Sequence, residues 1–243
     1  MKRFLLLGTV LVLGVCLSGC LFDDGQKATQ SKADSTPTRQ DHSTQTSESQ
    51  DPSKPVVPVV SAQVKQLPGS TTLDEKEVAV LETKFGKIII ELNDELAPRH
   101  CENFRRNIRT NLYDSTTFHR VIPGFLVQGG DPNSKDDDRA NDGLGGTGYT
   151  IPIEKKLPHK RGAVAMARKP DNVNKDRASN GAQFYICIVN VPYLDGKYSV
   201  FGKVVYGMDV ADKIASVPRD ERDNPLERVE IKASIMKYRD AVR

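Results

Sequence analysis

The sequence predicts a mainly β domain over residues 76–243, behind an N-terminal stretch with no globular pattern. Three observations carry this. Residues 78–83 (VAVLET) and 87–92 (KIIIEL) are β-rich runs separated by Phe85-Gly86, the pattern of a hairpin. Residues 118–122 and 125–127 are extended apolar runs hinged on Pro123-Gly124, where one residue has no amide hydrogen and the next tolerates unusual backbone angles. Near the C-terminus Val229, Ile231, Ala233 and Ile235 alternate as in a closing strand. Only two helical signals stand beside these.

In chain order, residues 1–20 are a targeting segment rather than structure. Lys2 and Arg3 form a basic start, an apolar stretch too short to span a bilayer follows, and Leu17-Ser18-Gly19-Cys20 closes it with small residues. That tetrapeptide resembles a bacterial lipobox, which implies an acylated Cys20 as the mature N-terminus; two or three acyl chains make a stable anchor where one does not. Within residues 21–75, Asp23 to about Pro55 is rich in Ser, Thr, Gln, Asp and Lys, and the proline-punctuated VVPVV of residues 56–60 continues it. Such a segment buries too little apolar surface to offset ordering entropy, so a disordered tether is expected.

Past the hairpin, Pro98 suits the first turn of a helix, and Cys101, Phe104, Ile108 and Leu112 recur at spacings of three, four and four as its apolar stripe. Arg99, Arg105, Arg106 and Arg109 fall off that stripe, as on a solvated face. A second helix is expected over residues 208–217, with loops at Asp114, Gly196 and Asn224-Pro225.

Composition excludes several function classes. The formal charge of +3 falls to about +1 once Lys2 and Arg3 leave with the leader, 33 basic against 32 acidic side chains, which is no nucleic-acid footprint. No Gly-x-Ser-x-Gly, His-Glu-x-x-His, P-loop or Cys-x-x-Cys occurs. A calcium-loop register from Asp138 puts Ala140 and Tyr149 where oxygen ligands are needed, so neither a metal nor another cofactor is expected. Cys101 and Cys187 remain in the domain; two buried free thiols is the default reading, and a bridge is left open.

The chemistry concentrates in residues 118–132, FHRVIPGFLVQGGDP. If residues 118–122 are extended, Phe118, Arg120 and Ile122 share one face and His119 and Val121 take the other, so Arg120 sits between two large apolar groups. The Pro123-Gly124 bend brings Phe125 close to it. A guanidinium beside an apolar slot suits a proline amide: as an Xaa-Pro bond twists, a donor to the nitrogen lone pair stabilises the twisted state more than the planar one.

The same run resembles the signature of the cyclophilin family of peptidyl-prolyl isomerases. Residues 143–146 (GLGG), 161–168 (RGAVAMAR), 180–186 (NGAQFYI) and 193–204 (YLDGKYSVFGKV) extend the likeness across roughly residues 78–236. The resemblance implies a closed eight-stranded antiparallel β-barrel capped by two α-helices. It implies Arg120, Phe125 and Gln128 as catalytic residues, Gln128 holding the guanidinium and the substrate backbone. Leu126, Tyr185 and Leu194 map with Phe125 onto the proline pocket, Ala167, Arg168 and Gln183 onto the rim, and His119, Tyr193 and Tyr198 onto groove-edge positions. Tyr193 stands where many members have tryptophan, Tyr185 where phenylalanine is usual and Arg168 where asparagine is frequent. The expected function is isomerisation of Xaa-Pro bonds in exported, proline-containing polypeptides by a monomer, lipid-anchored through Cys20 on the outer side of a bacterial membrane. The alternative is a proline-peptide-binding or chaperone module with little turnover.

Overall fold

The computed structural model describes residues 72–154 and 156–243. The expected leader, Cys20 and all but the last four residues of the expected tether lie outside the described residues.

The hairpin forms where the apolar runs predict it. Strands β1 (Glu77–Thr83) and β2 (Gly86–Leu92) pair antiparallel, with Val80 opposite Ile89, and Gly86 turns the chain at φ +128. Helix α1 (Pro98–Arg109) follows and buries Cys101, Phe104 and Ile108, the expected stripe. Its N-terminus is capped from a distance: the Glu154 carboxylate accepts the Arg99 amide at 3.3 Å and the His100 amide at 3.2 Å. The basic residues off the stripe are largely paired rather than simply solvated. Arg105 grips Asp94 through two bonds of 2.6 Å, Arg109 lies 3.4 Å from Glu77, and Arg106 stacks on Tyr149.

Strands β3 (Phe118–Ile122), β4 (Leu126–Gly129), β5 (Thr150–Ile151), β6 (Ala163–Met166), β7 (Ser179–Asn180), β8 (Phe184–Cys187) and β9 (Val200–Tyr206) come next. Helix α2 (Met208–Ala215), strand β10 (Lys232–Lys237) and helix α3 (Tyr238–Ala241) complete the domain. Eight strands form one antiparallel sheet in the order β10-β1-β2-β9-β6-β8-β4-β3, and β5 pairs with β7 separately.

This corrects the expected closed barrel capped by two helices. The sheet is open and curled, its edges are β10 and β3, and there are three helices. The edges approach only where residues 115–118 pass 229–231, before either edge strand has properly begun. A lone Thr117–Glu230 bridge and backbone bonds such as Phe118 N to Val229 O (2.9 Å) and Ile231 N to Thr116 O (2.8 Å) join them there, with no ladder beyond. The third helix is a single turn and leaves no periodic signal to read.

The sheet buries apolar residues on both faces. Its concave side, with Leu81, Ile90, Val127, Phe184 and Phe201, packs on α1 and α2. On the convex side α3 covers Val78, Val80 and Ile89 at one end. At the other end lies a separate apolar cluster of Leu126, Ala165, Tyr185, Cys187, Leu194 and Tyr198, with Phe125 and Ala167 against it. Cys101 and Cys187 are both free and buried, one in the concave core and the other in this convex cluster.

Candidate active site

The convex cluster gathers six of the twelve groove residues that the sequence singled out. Arg120 reaches it through an irregularity in β3. Phe118 pairs with Gly129 and Arg120 with Gln128, so one surplus residue, His119, lies between them. Such a bulge breaks the alternation of side chains. Phe118 therefore turns into the concave core, edge-on to Phe184 at 6.1 Å, while Arg120 faces the other side. The expectation that Phe118 and Ile122 flank Arg120 on one face is thus corrected: only Ile122 shares its side. Gly129 is required opposite the bulge, because a Cβ there would lie 2.9 Å from the Thr117 carbonyl oxygen.

From Arg120 a row of paired positions runs across the sheet: Arg120 opposite Gln128, Gln128 opposite Tyr185, Tyr185 opposite Ala165. Directly paired residues point to the same face, so Arg120, Gln128 and Tyr185 project from one side of the sheet on neighbouring strands. The Pro123-Gly124 turn closes with the Phe125 amide on the Ile122 carbonyl at 3.1 Å, Gly124 taking φ +70. It delivers Phe125 onto Tyr193, the rings stacked at 6.2 Å; Tyr193 is 57% exposed and forms the open lip of the groove.

Behind the row, Gln128 donates Nε2–H to Gln183 Oε1 at 2.9 Å. Gln183 in turn donates to the carbonyls of Gly143 and Gly145 at 2.9 and 2.8 Å, which uses both hydrogens of its amide. At 3% exposure, Gln183 is an anchor for Gln128 rather than an open rim residue. Asp131 braces the same glycine loop by accepting the Gly145 amide at 3.1 Å.

Asp223 was not legible in the sequence beyond the turn signal of Asn224-Pro225. Its carboxylate lies 3.8 Å from Arg120 Nε and accepts from Arg219 Nε at 3.1 Å, while its carbonyl accepts the Val121 amide at 2.8 Å. Nor did the sequence point to His159. Its Nδ1 lies 2.8 Å from Asp195 and its Nε2 3.0 Å from the Tyr185 hydroxyl. Burial lowers the His159 pKa, which the Asp195 bond only partly offsets, and burial likewise pushes the Tyr185 hydroxyl well up.

Arg168 does not project into the groove. Its side chain is 4% exposed, lies 4.4 Å over the Tyr198 ring and is held by the Lys197 carbonyl at 2.8 Å and by Asp171 at 2.6 Å. His119 is also interior, in the fold's lining beside Gly143, and burial depresses its pKa against the pull of Asp131 and Asp142. Leu126, Tyr185, Leu194 and Tyr198, with Phe125 and Ala167 against them, lie together in the convex cluster.

The chain matches the family model "Cyclophilin type peptidyl-prolyl cis-trans isomerase/CLD" over residues 78–235. It belongs to the cyclophilin-type peptidyl-prolyl isomerase family. Among relatives, this cyclophilin is 38% identical to peptidyl-prolyl cis-trans isomerase-like 1 of Gibberella zeae over 153 residues, 63% of this chain and 90% of the relative. It is 38% identical to the isomerase ppi1 of Schizosaccharomyces pombe over 152 residues, 62% and 93% of the two chains. A crystal structure of a Cryptosporidium parvum cyclophilin superposes with a TM-score of 0.59 at 30% identity, covering 66% of this chain and 97% of that one. The same protein has been crystallised in the presence of the dipeptide Ala-Pro. The cyclophilin domain here is accordingly a peptidyl-prolyl cis-trans isomerase.

Proposed function

We propose that the row Arg120, Gln128 and Tyr185, with the pocket of Phe125, Leu126 and Leu194, is the catalytic groove, and that it acts on proline-containing polypeptides outside the cytoplasm. Rotation about an Xaa-Pro bond faces a barrier of about 20 kcal/mol and takes tens of seconds unaided. The pocket takes the proline ring out of water. Arg120 donates to the amide nitrogen as its lone pair leaves conjugation, an interaction that strengthens only on the way to the twisted state and so lowers the barrier. Gln128, held by Gln183, fixes the peptide backbone beside the guanidinium. No bond to a nucleophile forms or breaks.

The alignment of Arg120 with Gln128 and Tyr185 in one paired row carries this reading. Its test is cis-to-trans conversion of a short Xaa-Pro peptide by wild-type protein and by Arg120→Ala. A charge-assisted bond of about 1.5–3 kcal/mol corresponds to a loss of roughly one to two powers of ten in kcat/KM. Undiminished turnover by a folded Arg120→Ala variant removes Arg120 from the mechanism.

The basic start, short apolar run and Leu17-Ser18-Gly19-Cys20 support a lipid anchor on Cys20. Residues 21–75 then form the tether and residues 76–243 work as a monomer at the cell envelope on exported clients. A lipoprotein signal-peptidase inhibitor is expected to leave unprocessed precursor in the producing cell; an unchanged mature size refutes the anchor.

A further inference from the structure

We propose that His159 is a positioning residue of the proline pocket: held by Asp195, it fixes the Tyr185 hydroxyl behind the pocket so that the aromatic ring alone faces the substrate. The inference rests on the groove assignment above and adds to it how the pocket floor is kept apolar.

A tyrosine in an apolar pocket carries a polar handle that must be satisfied somewhere. Tyr185 is 2% exposed, and its hydroxyl meets His159 Nε2 at 3.0 Å. The direction of this bond follows from the other side of the imidazole. The Asp195 carboxylate only accepts, and it lies 2.8 Å from Nδ1, so Nδ1 carries the proton and Nε2 is left as an acceptor for the tyrosine hydroxyl. The rings of His159 and Tyr185 are 13° from parallel with centroids 6.1 Å apart and meet tip to tip, and Tyr198 lies nearly perpendicular to both. Tyr185 is therefore held at its tip by a hydrogen bond and along its edge by Tyr198.

The chain of contacts also reaches the opposite wall. Asp195 follows Leu194 of the pocket directly, and its carboxylate accepts the His159 amide at 2.7 Å. The His159 carbonyl accepts the Val191 amide at 2.7 Å, at the start of the turn that carries Tyr193 and Leu194. These backbone bonds survive replacement of the imidazole, so side-chain substitutions isolate its hold on Tyr185.

The experiment is a double-mutant cycle on the full-length protein, reading KM and kcat for a short Xaa-Pro peptide together with Tm. His159→Phe keeps a ring in place but strands the hydroxyl, and KM is expected to rise roughly three- to tenfold while kcat moves less. Whatever level Tyr185→Phe sets, adding His159→Phe to it should raise KM no further, because a pocket without the hydroxyl has no need of the imidazole acceptor. A wild-type KM in His159→Phe, or a rise in KM from Tyr185→Phe to the double variant as large as that from wild type to His159→Phe, overturns the proposal. Should His159→Phe fail to fold, Asp195→Asn serves instead, its side chain being partly exposed. Its KM should rise in the Tyr185 background and not in the Tyr185→Phe background, and equal effects in both overturn the proposal. Failure of the groove assignment looks different: Arg120→Ala would then leave turnover intact whatever the His159 variants do.

Discussion

Replacing Gln183 tests whether the groove is held from behind. Gln183→Leu keeps a side chain of similar size but removes three hydrogen bonds: one from Gln128 at 2.9 Å, and one each to the Gly143 and Gly145 carbonyls at 2.9 and 2.8 Å. Gln128 and both glycines are half-buried, so water restores part of what each loses. Taking the low end of the cost of an unpaired group, about 1 kcal/mol apiece, the domain loses about 3 kcal/mol. For a domain of this size that lowers Tm by about 6–12 °C. Gln128, freed of its anchor, no longer stays beside Arg120, and kcat/KM is expected to fall roughly fivefold, the equivalent of one hydrogen bond. Thermal unfolding and peptide isomerisation measured well below the lowered Tm separate the two effects. Gln183→Glu sharpens the comparison, since a carboxylate in that place faces two carbonyl oxygens and Asp131, 3.4 Å from the present amide nitrogen. It should be at least as damaging as leucine. A Gln183→Leu protein with wild-type Tm, or one that loses Tm while keeping full kcat/KM, refutes the view that Gln183 acts through Gln128.

Two further outcomes follow from burial. His100, His119 and His159 all have pKa values lowered chiefly by burial, so below pH about 6.5 the unfolded chain takes up protons that the folded domain refuses. Stability contributed by the histidines is therefore full above that pH and falls as the pH drops below it, a decline that starts before the carboxylates titrate; a Tm unchanged between about pH 7.5 and 5 contradicts this. Burial pushes the thiols of Cys101 and Cys187 up to about 12, and neither is exposed. A thiol reagent should leave both unmodified in the native protein and modify both after denaturation, whereas fast native labelling of either would show that its face of the sheet opens.

Much of the fold was legible because its hairpin arms are continuous apolar runs, buried on both faces, and its first helix buries one periodic face. The stripe of Cys101, Phe104 and Ile108 and the two hairpin arms appear in the structure where the pattern puts them. Phe125, Leu126, Tyr185, Leu194 and Tyr198, which the family likeness singled out, pack in one cluster. What stayed hidden depends on three-dimensional approach. Asp223, His159 and Asp195 act through side chains brought together across 26 or more residues of chain; the first two stand at positions with no periodic or motif signal, and Asp195, though inside the 193–204 run, gives no sign of its partner. Arg168 reads as a rim charge in one dimension, and only the fold reveals the ring beneath it and the Asp171 carboxylate beside it. The open sheet was missed for a similar reason, because whether two edge strands meet is decided by a backbone path and not by the apolar pattern of either.

The surplus residue in β3 is one of three register shifts in the large sheet, the others lying at Ile89/Ile90 in the β2–β9 ladder and at Val164/Ala165 in the β6–β9 ladder. Each such shift bends its strand and tightens the local twist. Counting along this chain in twos therefore fails at the same places where the sheet acquires its curl. The curvature that wraps α1 and the outward turn of Arg120 have one origin, a few residues left over from the arithmetic of pairing.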